Sequence, residues 1–250
     1  MLVDIHNHIL PGLDDGPKSI EEAILLATNA VDNGITHIIA TPHHNNGKYI
    51  NSSSIVKEAV NNLNKELSKK DIPVEIFSGQ EVYFYNSIVE DLENDLLTLA
   101  NSGKYLLIEL PRNHFPVSTF ETLYKILLRG YTPIIVHPER NTVLRKDKQK
   151  VYDLVNKGSL VQITASTLLG EHGRNLKKYT IDLIKHNLAH FISSDAHHHV
   201  KRPFLLNDAY QYVQKKFTEN QVTYFSENAK HVILGTEFQP MLPISFQKNT

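Results

Sequence analysis

LVDIHNH, residues 2–8, begins as a short apolar run and ends in two histidines. The run predicts a β-strand over residues 2–6. His6 and His8 are two positions apart, so on a strand they point to the same side. This pattern leaves three alternatives for the imidazoles, namely packing, pH sensing and metal binding, and the rest of the chain has to supply their partners.

Similar runs recur along the chain and alternate with segments of helical period. Strands are predicted at 2–6, 37–43, 74–82, 105–110, 132–137, 160–165 and 190–195, and helices near 19–33, 53–70, 86–100, 117–129, 146–157, 174–187 and 204–216. Ser19 and Glu22 form a capping box for the first helix, which is expected to end at Asn33 and Gly34. Apolar strands separated by helices predict an α/β fold with a parallel sheet, and a closed barrel and an open doubly wound sheet both satisfy the pattern.

Composition limits the classes of function. The 250 residues are 41% hydrophobic, which favours one globular domain, with residues 239–250 as a surface tail. A net charge of −1 gives no overall basic field for nucleic acid or an anionic membrane, although it is compatible with a local basic groove. The absence of cysteine excludes disulfides, thiolate metal sites and cysteine nucleophiles. The chain begins without a signal-peptide pattern and its apolar runs are far shorter than about 18 residues, so a cytoplasmic location is expected.

Residues of the kind that bind metals follow most of the predicted strands. They are His6, His8, His43, Glu81, Glu109, His137, Asp195 and His197. The carboxyl ends of parallel strands lie at one rim of an α/β fold, where functional residues collect. A single histidine there is more often a packing residue, and Glu81 or Glu109 alone could be a salt-bridge partner. A carboxylate after an apolar strand is costly to bury unpaired, however, and a cation would remove that cost. The set as a whole therefore favours metal binding.

Other polar residues near these positions are less specific. Asp15 lies in a turn-forming stretch, Leu13–Pro17, and its neighbour Asp14 is expected to be a turn residue or to support a ligand. Three histidines adjoin predicted ligands and are expected to support them or to line the pocket: His44, His198 and His199. The other six are expected on the surface or hydrogen-bonded in the core: His37, His114, His172, His186, His190 and His231.

Five motifs together carry a family resemblance. They are DIHNH at 4–8, ATPHH at 40–44, GQEVYF at 79–84, VHPERN at 136–141 and SSDAHH at 193–198. This combination resembles the polymerase and histidinol phosphatase (PHP) superfamily of metal-dependent phosphoesterases. With the segment HILPGLDDGPKSIEEA, residues 8–23, the chain is similar to the bacterial tyrosine-protein phosphatases of capsule and exopolysaccharide loci. The resemblance extends from residue 3 to about residue 235.

The resemblance implies a single-domain distorted (β/α)7 barrel with three divalent metal ions, usually described as manganese. Taken alone, nitrogen and oxygen ligands suit manganese, iron or zinc. The implied ligands are His6, His8 and Asp195 for one metal; Glu109 and His137 for a second, with Glu81 bridging those two; and Asp15, His43 and His197 for the third. No residues are assigned to an organic cofactor.

Arg140 and Arg202 are predicted to bind the phosphate, because guanidinium groups grip phosphate oxygens bidentately. The alternative is that they are ordinary surface arginines. Metals at this site would generate a hydroxide nucleophile at neutral pH. If the chain is a tyrosine phosphatase, its lack of cysteine means that metal activation must replace a phosphocysteine intermediate.

Three functions remain as hypotheses. The first is a metal-dependent protein-tyrosine phosphatase acting on a bacterial tyrosine kinase that regulates capsular or exopolysaccharide biosynthesis, and the kinase partner is implied by the resemblance alone. The second keeps the site but changes the substrate to a small phosphomonoester such as histidinol phosphate, or to a nucleic-acid end. The near-neutral net charge of the chain argues against the nucleic-acid version. The third is a metal-stabilised adaptor of the polysaccharide machinery. Neither membrane insertion nor nucleic-acid binding is expected, and homo-oligomerisation is left open.

Overall fold

The structure is a computed structural model that describes residues 1–246. Its strands are β1 (Val3–Asn7), β2 (His37–Ala40), β3 (His43–His44), β4 (Glu75–Ser78), β5 (Glu81–Tyr83), β6 (Tyr105–Glu109), β7 (Thr132–Val136), β8 (Leu160–Thr164) and β9 (Phe191–Ser193). Its helices are α1 (Ile20–Asp32), α2 (Ser53–Lys69), α3 (Ile88–Asp91), α4 (Thr119–Leu128), α5 (Thr142–Lys146), α6 (Gln149–Asn156), α7 (Ala165–Leu169), α8 (Arg174–Lys185), α9 (Leu206–Lys216) and α10 (Glu219–Leu234). Short 3₁₀ turns lie at Leu99–Asn101 and Pro138–Arg140.

The strands form two parallel sheets. One has the order β1-β2-β4 and the other the order β3-β5-β6-β7-β8-β9. The first strand meets the segment that follows the last strand through a parallel bridge between Asn7 and Ala196, and the amide of His8 donates to the Ala196 carbonyl at 2.8 Å. The predicted α/β class with parallel pairing is therefore confirmed.

Two predicted strands are each divided between the sheets. The strand predicted at 37–43 becomes β2 and β3, separated by Thr41 and Pro42. Proline has no amide to donate to a ladder, which explains the interruption. The strand predicted at 74–82 becomes β4 and β5, separated by Gly79 and Gln80. Both chain segments thus pass from the first sheet to the second just before the rim.

Alternate strand residues pack into two different hydrophobic cores. Ile135 on β7 packs in the core that includes most of the helices, whereas its neighbour Ile134 packs in a second core with other strand residues and part of α10: Ile5, Leu107, Phe191, Ala229 and Val232. Successive strand residues point to opposite faces, so each strand has apolar residues on both sides. The sheets are consequently covered on both faces, and polar side chains are brought together at the strand ends.

The helix predicted at 86–100 is wrong beyond its first turn. Only α3, Ile88–Asp91, is α-helical there, and Ala100 has a left-handed φ of 55°. Polar groups of this segment instead form hydrogen bonds with residues elsewhere in the chain. The amide of Leu97 donates to Gln80 Oε1 at 2.6 Å, and Asp95 Oδ1 accepts from the amide of Ser53 at 2.8 Å.

Two other helix predictions need correction. The helix predicted at 146–157 is instead two helices, α5 and α6, because Asn141 caps an earlier start at Thr142. Helix α10 was not predicted, although Thr218 caps its first turn and Gly235, with φ 65°, follows its last residue. The predicted start of α1 is confirmed, since Ser19 Oγ accepts from the amide of Glu22 at 3.4 Å.

The described part of the predicted tail, residues 239–246, lies on the surface. The amide of Ile244 donates to the carbonyl of His186 at 2.8 Å, and Phe246 stacks on the His186 ring with centroids 3.9 Å apart. Residues 247–250 of that tail lie outside the described residues. Within residues 1–246, no helix combines the length and apolar character that a membrane crossing needs.

Candidate metal centre

The predicted ligands from the first half of the chain converge at the rim. His6 is in β1, and His8 follows that strand directly. His43 and Glu81 open β3 and β5 and face each other in register, while Glu109 ends β6. His43 and Glu81 were expected at the ends of single strands; they begin new strands because β2 and β4 stop just before them.

His137 and Asp195 come from the second half and share an unusual backbone conformation. Their φ values are 32° and 54°, in the left-handed region. Residues other than glycine rarely adopt it, at a cost of roughly 1–3 kcal/mol, and such strain clusters at functional sites. In both cases the turn comes just after a strand and directs a side chain into the rim.

Interatomic distances within the rim allow metal coordination. Three groups of side chains have potential ligand atoms that all lie within 4.8 Å of one another: His8, Asp15, His43 and His197; His6, His8 and Glu81; and His43, Glu81 and Glu109. His137 Nε2 also lies 2.8 Å from Glu81 Oε1, and Asp195 Oδ1 lies 3.3 Å from His8 Nε2. The structure therefore brings together all nine residues predicted to hold metal, with Glu81 in their midst.

Several buried atoms of this group lack ordinary partners. Among residues 1–246, His6 Nε2, His8 Nε2, His43 Nδ1 and Glu81 Oε2 are buried without a well-aligned hydrogen bond, although the last two lie only 2.8 Å apart. Leaving such groups unpaired is costly, whereas nitrogen and oxygen donors facing a common centre are what a divalent cation requires. The residues present therefore fit metal ions.

Separate residues orient three of the imidazoles through their other nitrogen. The Nδ1 atoms of His6, His8 and His197 lie 3.0 Å from Gln162 Oε1, 2.6 Å from Asp14 Oδ2 and 2.9 Å from the Asp195 carbonyl. Each contact leaves Nε2 facing the centre. A hydrogen bond of this kind fixes the ring and its tautomer at metal sites.

Asp14 does more than form a turn. Its carboxylate contacts His8 and accepts from the amides of Gly16, at 2.9 Å, and His43, at 3.0 Å. Burial acts to raise the pKa of Asp14, but His8 lowers that pKa to about 2. A Cβ at Gly16 would lie 2.0 Å from the His8 carbonyl oxygen, so the close packing of this loop requires glycine.

Opposite charges keep two buried carboxylates ionised. Burial acts to raise the pKa of Glu81, but His6 and His43 bring it well below its ordinary value. Burial likewise opposes ionisation of Asp195, but Arg140 and His8 hold its pKa well below the usual range. Glu109 differs, because burial and the Glu81 charge raise its pKa to about 7.

Arg140 and Arg202 both lie at the edge of the metal centre. Each donates through Nη2 to Asp195 Oδ2, and the Arg202 contact is 2.7 Å long. With Glu109 and His137 they line a cavity of about 410 Å³ that also contains Arg112, Arg145 and His172. This cavity lies beside the predicted ligands and is rich in arginine, a residue whose guanidinium group binds phosphate oxygens bidentately.

The remaining histidines mostly match their predicted places. His44 is buried with Nδ1 2.8 Å from the Asn51 carbonyl, and His198 and His199 stack 4.6 Å apart beside the rim. His190 is a core residue, and its Nδ1 accepts from the amide of Val161 at 3.0 Å. His172 is exposed as expected but also lines the cavity, which sequence analysis did not predict.

Three supporting residues were missed. Gln162 orients His6; its signal is a polar residue inside the buried strand LVQIT. Asp4 accepts from the amide of Ser194 at 2.9 Å and fastens the segment before Asp195 to β1. Asn141 caps α5 and also donates to the Pro111 carbonyl at 2.6 Å, and its only sequence signal is the HPERN motif.

Comparison with known proteins identifies the family. A family model for capsular polysaccharide synthesis, CpsB/CapC, matches residues 2–234. The chain belongs to the CpsB/CapC family. The predicted resemblance to bacterial tyrosine-protein phosphatases of capsule loci is therefore confirmed.

Two curated members of the CpsB/CapC family match along nearly their full length. Tyrosine-protein phosphatase YwqE of Bacillus subtilis (strain 168) is 41% identical over 249 residues, covering 99% of this chain and 98% of YwqE. The putative tyrosine-protein phosphatase CapC of Staphylococcus aureus is 40% identical over 242 residues, covering 97% and 95%.

A crystal structure of the family has the same overall fold. It comes from work on YwqE of Bacillus subtilis and CpsB of Streptococcus pneumoniae, described as unique metal-dependent tyrosine phosphatases. It superposes with a TM-score of 0.95 at 40% identity and covers 99% of this chain and 100% of the other.

Proposed function

We propose that this CpsB/CapC protein is a metal-dependent tyrosine-protein phosphatase. The observation that carries the proposal is a cluster of buried imidazole and carboxylate atoms, facing one another without well-aligned hydrogen bonds, directly beside an arginine-lined cavity. The named activities of YwqE and CapC support the same conclusion. The absence of cysteine agrees with it, since a phosphocysteine intermediate is impossible in this chain.

The proposed centre holds three divalent ions, with manganese as the metal and iron or zinc as alternatives. Following the resemblance, the ligands would be His6, His8 and Asp195 for one ion; Glu109 and His137 for a second, with Glu81 near both; and Asp15, His43 and His197 for the third. The distances also allow His8 to join the third set and His43 to join Glu81 and Glu109. Such ions supply charge neutralisation and an activated water for attack on phosphorus.

The protein's own residues would position the substrate. Arg140 and Arg202 can donate to phosphate oxygens, because both reach the cavity and face the same carboxylate. Since Asp195 is shared by the arginines and the predicted ligands, it would hold the phosphate-binding and metal-binding groups in a fixed relation. A phenolate leaving group, with a conjugate pKa of about 10, needs little proton assistance, which suits a tyrosine phosphate.

The wider proposals follow the resemblance. The substrate protein would be a bacterial tyrosine kinase that regulates capsular or exopolysaccharide biosynthesis, and the enzyme would act in the cytoplasm. The seven strand segments would form a distorted (β/α)7 barrel in one domain; the Asn7–Ala196 bridge and the second core, to which strands of both sheets contribute, support this.

Hydrolysis assays test the proposed function against its alternatives. The protein should hydrolyse a phosphotyrosine peptide faster than histidinol phosphate or a phosphorylated DNA end. EDTA should abolish this activity, a returned divalent metal should restore it, and a thiol-alkylating agent should have no effect. Full activity after verified metal removal would refute the mechanism. Preference for histidinol phosphate would favour the small-molecule alternative, and a metal-loaded protein with no hydrolysis would favour the adaptor.

A further inference from the structure

A basic surface continues from the arginine-lined cavity away from the metal centre. A second cavity, of about 570 Å³, shares Arg145 and Leu176 with the first, so the two adjoin. We call the combined surface the basic groove and define it by its cations: Arg112, Arg145, Lys146, Lys148 and Lys178.

Most of these cations have no counter-charge. The four exposed ones form no ion pair within residues 1–246: Arg112, Arg145, Lys146 and Lys178. Lys148 is paired with Asp182, and the nearby Asp147 is paired with Lys150 at 3.1 Å. These two carboxylates are therefore already occupied. Although the chain has a net charge of −1, the basic groove keeps an excess of positive charge.

The helices that carry cations of the basic groove, α5 and α8, are anchored beside the arginine-lined cavity. Asn141, next to Arg140, caps α5 by accepting from the amide of Leu144 at 2.8 Å, and α5 carries Arg145. The Tyr179 hydroxyl donates to the Leu144 carbonyl at 3.1 Å, which ties α5 to α8 and so to Lys178. These hydrogen bonds consequently hold the cations of the basic groove in a fixed position relative to Arg140 and Arg202.

We propose that the basic groove binds acidic residues that flank the phosphotyrosine, which makes the preferred substrate an acidic peptide segment. This inference rests on the proposed function and specifies its substrate class. Cations that line a cleft attract and orient an anionic partner. A single-stranded nucleic acid fits less well, because that mode of binding uses accessible aromatic rings for base stacking. The aromatic ring lining the second cavity, Tyr179, is 4% exposed and its hydroxyl is already bonded.

The test compares two phosphotyrosine peptides of equal length, one with glutamates around the phosphotyrosine and one with glutamines. The readout is the ratio of their kcat/KM values at low ionic strength. We expect the wild-type protein to favour the acidic peptide by about tenfold or more, and the ratio to fall toward one in high salt. The double variant Arg145→Glu/Lys178→Glu should bring the ratio to one or below.

A charge-matched control separates local from overall charge. Lys57→Glu/Lys65→Glu makes the same charge change on exposed positions of α2, and it should keep the wild-type ratio. A wild-type ratio near one, or equal loss in both double variants, would overturn the inference. Inhibition by a DNA oligonucleotide that the groove variant escapes, without a peptide preference, would instead assign the groove to nucleic acid. Metal-dependent hydrolysis of the glutamine peptide would leave the proposed function intact in either case.

Discussion

Asp195 links the metal centre to the phosphate-binding arginines. Its Oδ1 lies 3.3 Å from His8 Nε2 and 3.7 Å from His6 Nε2, whereas its Oδ2 accepts from Arg140 and Arg202. One buried carboxylate thus contacts predicted ligands on one side and both cations on the other. Because two arginines share this carboxylate, loss of either still leaves it a cationic partner.

Replacing Arg140 should separate turnover from metal binding. Arg140→Ala should keep its metal, since Arg202 still contacts Asp195, but kcat should fall about 100- to 1,000-fold through loss of a transition-state donor. Arg140→Lys should recover only part of the loss, because an ammonium lacks the planar fork. Elemental analysis and kcat on a phosphotyrosine peptide measure both effects. Near wild-type turnover with normal metal would show that Arg140 does not act on the phosphate.

Two neighbouring histidines provide a matched test of ligand assignment. His197 is buried and its Nε2 lies 3.3 Å from Asp15, whereas His199 is half-buried and stacks on His198. His197→Ala should lose bound metal and activity together, and His199→Ala should keep its metal content. Metal analysis by mass spectrometry on both purified variants checks this. Equal metal loss would contradict the assignment of the SSDAHH motif.

Among the helices, α5 is short but central to the site. Asn141 begins it, donates to the carbonyls of Pro111 and His114 at 2.6 and 3.0 Å, and directly follows Arg140. The five residues of α5, Thr142–Lys146, could hardly persist without such anchoring, because isolated helices of this length are unstable. One side chain therefore fixes both a helix and the loop before the cavity.

Removal of two helix caps should distinguish this role from ordinary capping. Ser52→Ala, at the start of α2, should cost about 1 kcal/mol of unfolding free energy without affecting catalysis. Asn141→Ala should cost more, roughly 2–3 kcal/mol, because it also leaves carbonyls without a donor. It should in addition lower kcat/KM, because Arg140 loses its support. Urea unfolding and peptide kinetics of both variants provide the comparison, and unchanged kinetics in Asn141→Ala would contradict it.

For the molecule as a whole, burial of ionisable groups ties stability to pH. His190 is fully buried between β8 and α10; it accepts from the amide of Val161 at 3.0 Å, and its carbonyl accepts from Asn228 at 3.0 Å. Burial lowers the pKa of His190 to about 3. In the unfolded chain its pKa would return to about 6.5. Between these values only the unfolded state binds this proton, so stability falls as pH falls.

The variant His190→Gln should lose this part of the pH dependence. Between pH 7 and pH 5 the wild-type protein should lose about 2 kcal/mol more unfolding free energy than the variant, whatever their difference at pH 7. Urea unfolding at a series of pH values measures the two slopes. His114→Gln, at an exposed position, is the control and should follow the wild-type slope. Parallel curves for wild type and His190→Gln would mean that His190 is protonated in the folded state.

The sequence by itself determined the α/β class, the start of α1, the chemistry of the rim and the family. These properties depend on residues close together in sequence: the alternation of strand and helix segments, the capping residues and the spacing of the motifs. His6 and His8 alone left three alternatives, and only the set of residues after the predicted strands favoured metal binding. The sequence also placed His190 among the surface or hydrogen-bonded core histidines, since no predicted ligand adjoins it.

Only the tertiary structure decided how the elements divide and which partners meet. The helix predicted at 86–100 gives way because Gln80 and Ser53 offer its polar groups better-placed partners, and such contacts between distant segments cannot be read from local propensity. Gln162 reaches His6 from β8, and both arginines meet on Asp195. These contacts join residues far apart in sequence, so their distances depend on how the strands pack, which the linear pattern does not contain.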